Sequence, residues 1–88
     1  MIEKTLTIQN KLGMHARPAA LFVQTSARFK SRVKIVKNGQ EIDGKSIMGI
    51  MTLAASAGSC LILTAEGEDE QETMAALEQL IISGFGEE

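Results

Sequence analysis

Six consecutive residues, Cys60-Leu61-Ile62-Leu63-Thr64-Ala65, are apolar on both faces of an extended chain, the pattern of a strand in the middle of a sheet. Neighbours must therefore flank it on two sides. One candidate is Ile2–Ile8, where Ile2, Leu6 and Ile8 alternate with Glu3, Thr5, Thr7 and Gln9, although Lys4 breaks the alternation. The other is Arg32–Lys37, with Val33 and Ile35 inward; Asn38-Gly39 then signals a two-residue hairpin returning through Gln40–Asp43. Helical periodicity fills the gaps. Ala19, Phe22, Val23 and Ser26 mark one face of a helix over about Ala16–Arg28, and Ser46 introduces a short helix to about Leu53. Asp69 with Glu72 forms a capping pattern for a last helix carrying Met74, Leu77, Leu80 and Ile81, ending near Gly84. The order is βαββαβα. Ile2–Ile8, the first helix and Arg32–Lys37 make a βαβ unit, and the apolar strand inserts between its two strands, leaving helices on one sheet face and the other face open.

The chemistry concentrates in Met14-His15-Ala16-Arg17-Pro18, which holds the single histidine of the 88 residues. Pro18 suits a first helical turn and biases Arg17 away from helical angles, so the helix starts within a residue or two of here. His15 sits at its mouth, where unpaired N–H groups and a dipole end of roughly +0.5 charge favour an anion. An imidazole, with an unperturbed pKa of about 6.5, offers a neutral nucleophilic nitrogen near pH 7. Arg17 adds a planar fork for phosphate oxygens, the backbone of Ala16 and Arg17 adds donors, and Gly13 lets the loop bend. Local physics serves two readings equally: a phosphoryl site, or a helix cap beside a solvated arginine.

Composition removes other functions. The 88 residues predict one small domain spanning 1–88, and nine basic against eleven acidic side chains give a net charge of −2. A general nucleic-acid binder is disfavoured by that balance and by the lack of Trp and Tyr. The start of the chain has no secretory pattern and no apolar run reaches membrane-spanning length, so a soluble, cytoplasmic monomer is expected. Cys60 stands alone and reads as a small buried hydrophobe; with one His it builds no metal site, and no cofactor is called for.

Leu12-Gly13-Met14-His15-Ala16-Arg17-Pro18 resembles the active-site motif of the HPr family, the histidine-containing phosphocarriers of the bacterial phosphoenolpyruvate-dependent sugar phosphotransferase system. Lys45-Ser46-Ile47-Met48-Gly49-Ile50-Met51-Thr52-Leu53 resembles that family's regulatory-serine segment, at the expected distance. The resemblance implies an α+β open-faced β-sandwich with an antiparallel sheet of order 1-4-2-3. It implies that His15 accepts a phosphoryl group on Nδ1 from phospho-enzyme I and delivers it to IIA components. It also implies regulatory phosphorylation at Ser46 by a dedicated kinase/phosphorylase, which impairs loading and can create a co-repressor for a catabolite-control transcription factor. With no base, metal or substrate pocket of its own, such a chain is a stoichiometric carrier, not an enzyme. A nitrogen-type relay carrier and a regulator phosphorylated only on Ser46 are the alternatives; an RNA-binding split βαβ domain is a weaker one, lacking strand aromatics.

Ser46 by itself reads as an N-cap hydroxyl, a role compatible with phosphorylation there. Of the apolar residues that follow it, one reading puts Ile47 and Ile50 in the core with the methionines filling gaps. The other places Ile47, Met48 and Met51 on a docking surface with the first helix's second stripe, Arg17, Ala20, Leu21, Gln24 and Arg28. An exposed patch of Leu21, Met48 and Met51 ringed by Arg17, Gln24, Arg28 and Lys45 suits acidic partners. Gln24 departs from the basic residue of many relatives.

Overall fold

The computed structural model describes residues 1–87 and comprises β1 (Ile2–Thr7), α1 (Ala16–Ser26), β2 (Arg32–Lys37), β3 (Gln40–Asp43), α2 (Ile47–Thr52), β4 (Cys60–Glu66) and α3 (Glu70–Ile82), followed by a 3₁₀ turn at Gly84–Gly86. The four strands form one sheet of order β1-β4-β2-β3. Every pairing is antiparallel, so β1 and β2 run parallel on either side of β4, the split βαβ arrangement.

Register explains the core. Lys4 and Ile35 both oppose Leu63, Leu6 opposes Leu61, and Ile2 and Val33 both oppose Ala65, which places these side chains in rows on the face covered by the helices. Leu61, Leu63, Ala65, Val33 and Ile35 are buried there against Ala19 and Phe22 of α1, Ile50 of α2 and Met74, Leu77 and Ile81 of α3. Lys4, which breaks the apolar alternation of β1, reaches the rim of that face and donates to Glu78 of α3 at 2.6 Å.

On the open face Cys60, Ile62 and Glu66 are exposed. Cys60 is thus not the buried hydrophobe expected: the even positions of β4 point to the uncovered side, and burial on both faces is not required of a strand merely flanked on both edges. Other boundaries move by a residue or two. β1 ends at Thr7, with Ile8 buried beyond it, and α1 ends at Ser26, whose hydroxyl bonds back to Val23 and across to the Gly44 carbonyl at 2.9 Å. Val23 is only half-buried.

The predicted cap of α3 takes another form. Asp69 is the N-cap residue, yet its carboxylate makes no cap bond to its own helix; it accepts from Lys30 N and Ser31 N, each at 2.9 Å, and from Ser31 Oγ at 2.5 Å. Glu70, not Glu72, reaches back, accepting from Gly67 N at 3.1 Å. A carboxylate offered backbone donors from a neighbouring loop leaves the amides of its own helix uncapped and keeps only a long contact to that helix, from the Thr73 hydroxyl at 3.3 Å.

Candidate functional site

His15 is the N-cap of α1, with extended backbone (φ −81°, ψ −169°) and a carbonyl that accepts the first intrahelical bond, from Ala19 N at 3.0 Å. The helix begins one residue later, so Pro18 is its third position and Arg17 is helical despite preceding a proline. The clash that excludes proline from helices involves the carbonyl four residues earlier, here Met14, which lies outside the helix. The amides of Ala16 and Arg17 have no intrahelical carbonyl to bond, and both residues are exposed. The site residues read from sequence around His15 are therefore brought together, with two free N–H groups and the positive end of an eleven-residue helix.

The loop that delivers His15 is fixed from behind. Gly13 has φ +68° and is buried, and a Cβ there would collide with the Ala55 carbonyl oxygen and lie 2.8 Å from Ser56 Cα. Only glycine allows that approach. Met14 then donates its amide to Ala55 O at 2.8 Å and buries its side chain. Below it, buried Asn10 donates from Nδ2 to Gly13 O at 2.7 Å and to Glu87 Oε1 at 2.9 Å. Its Oδ1 lies buried without a partner among the described residues, so the two acceptors alone fix the amide's orientation.

Glu87 is the residue of this site that no local sequence signal announces. Its Oε2 and Oε1 lie 2.9 and 3.2 Å from His15 Nε2. The hydrogen bond from His15 draws the Glu87 carboxyl below the usual glutamate range; burial opposes this, and Asn10 and the nearby charge of Arg17 add to it. Nδ1 of His15 carries no hydrogen bond among the described residues, and the imidazole side chain is 37% exposed. The Arg17 guanidinium forms no ion pair among the described residues. The arrangement is open: a ring nitrogen without a partner, free amides and an uncommitted cation stand at the surface of a helix end, a geometry that can receive an anionic group.

Ser46 is the N-cap of α2, as read from sequence, its Oγ accepting from Gly49 N at 3.1 Å. Helices α1 and α2 pack side by side. On α2, Ile50 is fully buried, whereas Met48 is 71% exposed and Met51 and Ile47 are also exposed. Ile47 thus joins the methionines outside and not Ile50 within. Leu21 differs from expectation in being half-buried against the core, because its helical position lies between the core stripe and the outer one. Gln24 and Arg28 are exposed, Ala20 is half-buried, and the Arg28 guanidinium lies 5.6 Å from the Phe29 ring centroid. Lys45 is half-buried and donates its ammonium to the Phe29 carbonyl at 2.8 Å, which braces the end of α1.

Among the described residues no group of three or more His, Cys, Asp or Glu side chains is placed to hold a metal ion. The larger surface depression, lined by Arg32, Lys34, Glu41, Asp43 and Lys45 among others, lies at the β2–β3 edge and shares no residue with the His15 site. Among the described residues no helix is long and apolar enough to cross a membrane.

Fold and site together define a class: an open-faced α+β protein that presents a half-exposed histidine at a helix start. Residues 2–83 match the family described as the PTS HPr component phosphorylation site. The phosphocarrier protein HPr of Cupriavidus necator is 51% identical over 87 residues, spanning 99% of this chain and 98% of that protein. The HPr-like protein Crh of Halalkalibacterium halodurans is 52% identical over 77 residues, 88% of this chain and 92% of that one. The crystal structure of HPr from Thermoanaerobacter tengcongensis superposes with a TM-score of 0.97 at 53% identity, covering 100% of this chain and 99% of that one. The chain belongs to the HPr family of phosphocarriers of the bacterial phosphotransferase system.

Proposed function

We propose that the protein is one carrier domain that accepts a phosphoryl group on Nδ1 of His15 from phospho-enzyme I and delivers it to IIA components in the cytoplasm. The observation that carries this reading is the company of His15: an N-cap imidazole whose Nδ1 is unengaged, beside the free amides of Ala16 and Arg17. An N–P bond forms at Nδ1 as the donor's N–P bond breaks, and the transferred oxygens gain the helix-end donors and the Arg17 fork. On delivery the same bonds are released, so nothing is consumed and the chain turns over as a stoichiometric carrier. Ser46, capping the adjacent helix, serves as the regulatory phosphorylation site, and Ile47, Met48 and Met51 with Ala20, Leu21, Gln24 and Arg28 form the docking surface. Membership of the family and the likeness to Crh support both roles.

Incubation with enzyme I and labelled phosphoenolpyruvate should load one phosphoryl group per chain, acid-labile and alkali-stable. His15→Ala should load none. Undiminished labelling of that variant would refute the assignment.

A further inference from the structure

Residues 84–87 turn sharply to bring a carboxylate onto the imidazole. Gly84, Phe85 and Gly86 all have positive φ (66°, 58° and 72°), and for Phe85 this left-handed conformation is a strain that surrounding structure must hold. The hold is visible. The Phe85 side chain is 5% exposed and belongs to the hydrophobic core, while Glu87 N bonds Gly84 O at 3.0 Å. Asn10, itself locked to the Gly13 carbonyl, grips Glu87 Oε1 from the other side. The Glu87 side chain is only 18% exposed, so this is a carboxylate set in place by two independent supports and not one swinging on a chain end.

A carboxylate only accepts hydrogen bonds. His15 must therefore donate from Nε2, which keeps the ring proton on that nitrogen and leaves the lone pair of the neutral imidazole on Nδ1. When Nδ1 attacks phosphorus, the new N–P bond forms, the donor's N–P bond breaks with its electron pair returning to the donor nitrogen, and the Nε2 proton stays where it is. The His15 ring becomes a cation. Glu87 then faces a positive charge that was absent before transfer, as the carboxylate of a Ser-His-Asp triad does. When the group is passed on, the N–P bond breaks, the electron pair returns to Nδ1, and the ring is neutral again. We propose that Glu87 is a positioning residue for phosphoryl transfer, holding the His15 proton on Nε2 and compensating the charge of the phosphorylated ring. The proposal rests on His15 being the phosphoryl acceptor.

Because both partners are partly exposed, the expected effect is modest: loading by phospho-enzyme I should be roughly twofold to fivefold slower in Glu87→Ala, the range of an exposed charge pair. Nitrogen-15 NMR of the unphosphorylated protein at neutral pH gives a readout that needs no partner. In the parent, Nε2 should carry the proton; in Glu87→Ala the proton should redistribute toward Nδ1. Glu87→Gln retains an acceptor oxygen but no charge, so it should restore the parental nitrogen signature and load at a rate between the other two. A Glu87→Ala protein that loads as fast as the parent overturns the proposal, as does a parent with its proton on Nδ1, or a Gln variant whose nitrogen signature matches that of Ala. If His15→Ala loads like the parent, the carrier assignment falls instead, which separates the two failures.

Discussion

At the scale of single residues, the site separates groups that hold the chain from groups that are free to act. Gly13 and Asn10 hold; Arg17 is free, exposed and without an ion pair among the described residues. Arg17→Ala should therefore leave the thermal melt within about 0.5 kcal/mol of the parent. Loading should slow roughly 10- to 100-fold, the worth of charge-assisted hydrogen bonds made to the transferring group. A large stability loss with normal loading would show instead that Arg17 serves the fold. His15, Arg17 and Gly13 are legible in the sequence because neighbouring residues fix their roles. Glu87 is not, since its role depends on a reversal of the chain seventy-two residues after His15 that no periodicity encodes. Lys45 shows the same limit: its charge is plain, but not that its stem lies along the fold and its ammonium is spent on the Phe29 carbonyl.

At the scale of elements, α2 is a six-residue helix too short to stand by propensity, and its two ends are both tied. Ser46 caps the start, and the Lys37 ammonium donates to the carbonyls of Leu53 and Ala54 at 3.1 and 3.4 Å at its end. Ser46→Ala should lower stability by about 1 kcal/mol in a thermal melt while loading normally. Ser46→Asp keeps a capping oxygen and suits the helix dipole, so the fold survives; beside exposed Met48 and Ile47, its charge should repel an acidic partner and slow loading from enzyme I. Raising salt should narrow the gap between this variant and the parent. Equal rates at low salt would uncouple the two sites. Elements whose signals are local were legible: Asn38 and Gly39 adopt the positive φ values (51° and 82°) that their dipeptide predicts, and Ser46 caps the helix it introduces. The cap of α3 was not, because Asp69 answers to a loop thirty-eight residues earlier in the chain.

At the scale of the whole molecule, Asp69 joins the entry to β2 with the start of α3, accepting from buried Ser31 and from Thr73 as well as Lys30. The Ser31 hydroxyl first, then the Lys30 amide, pull its carboxyl down from 3.8 to about 2 in the folded protein. The folded state thus favours the ionised form, and the unfolded chain takes up the proton first as pH falls. The stability contributed by Asp69 is complete above about pH 4 and disappears as pH drops through about 2. Asp69→Asn should melt below the parent at pH 7, and the difference should shrink between pH 4 and pH 2; a gap independent of pH would mean that shape, not charge, is what the loop requires. The global order of strands follows from one sequence feature, the apolar run that had to lie between two neighbours, whereas which of its faces stays bare is decided by where three helices find room. The Met14 amide is paired with the Ala55 carbonyl, while those of Ala16 and Arg17 have no intrahelical partner in exposed residues, so hydrogen exchange should run slow at Met14 and fast two residues on. An anion at the helix end would therefore meet bare donors on a scaffold already in place, with no loop left to order.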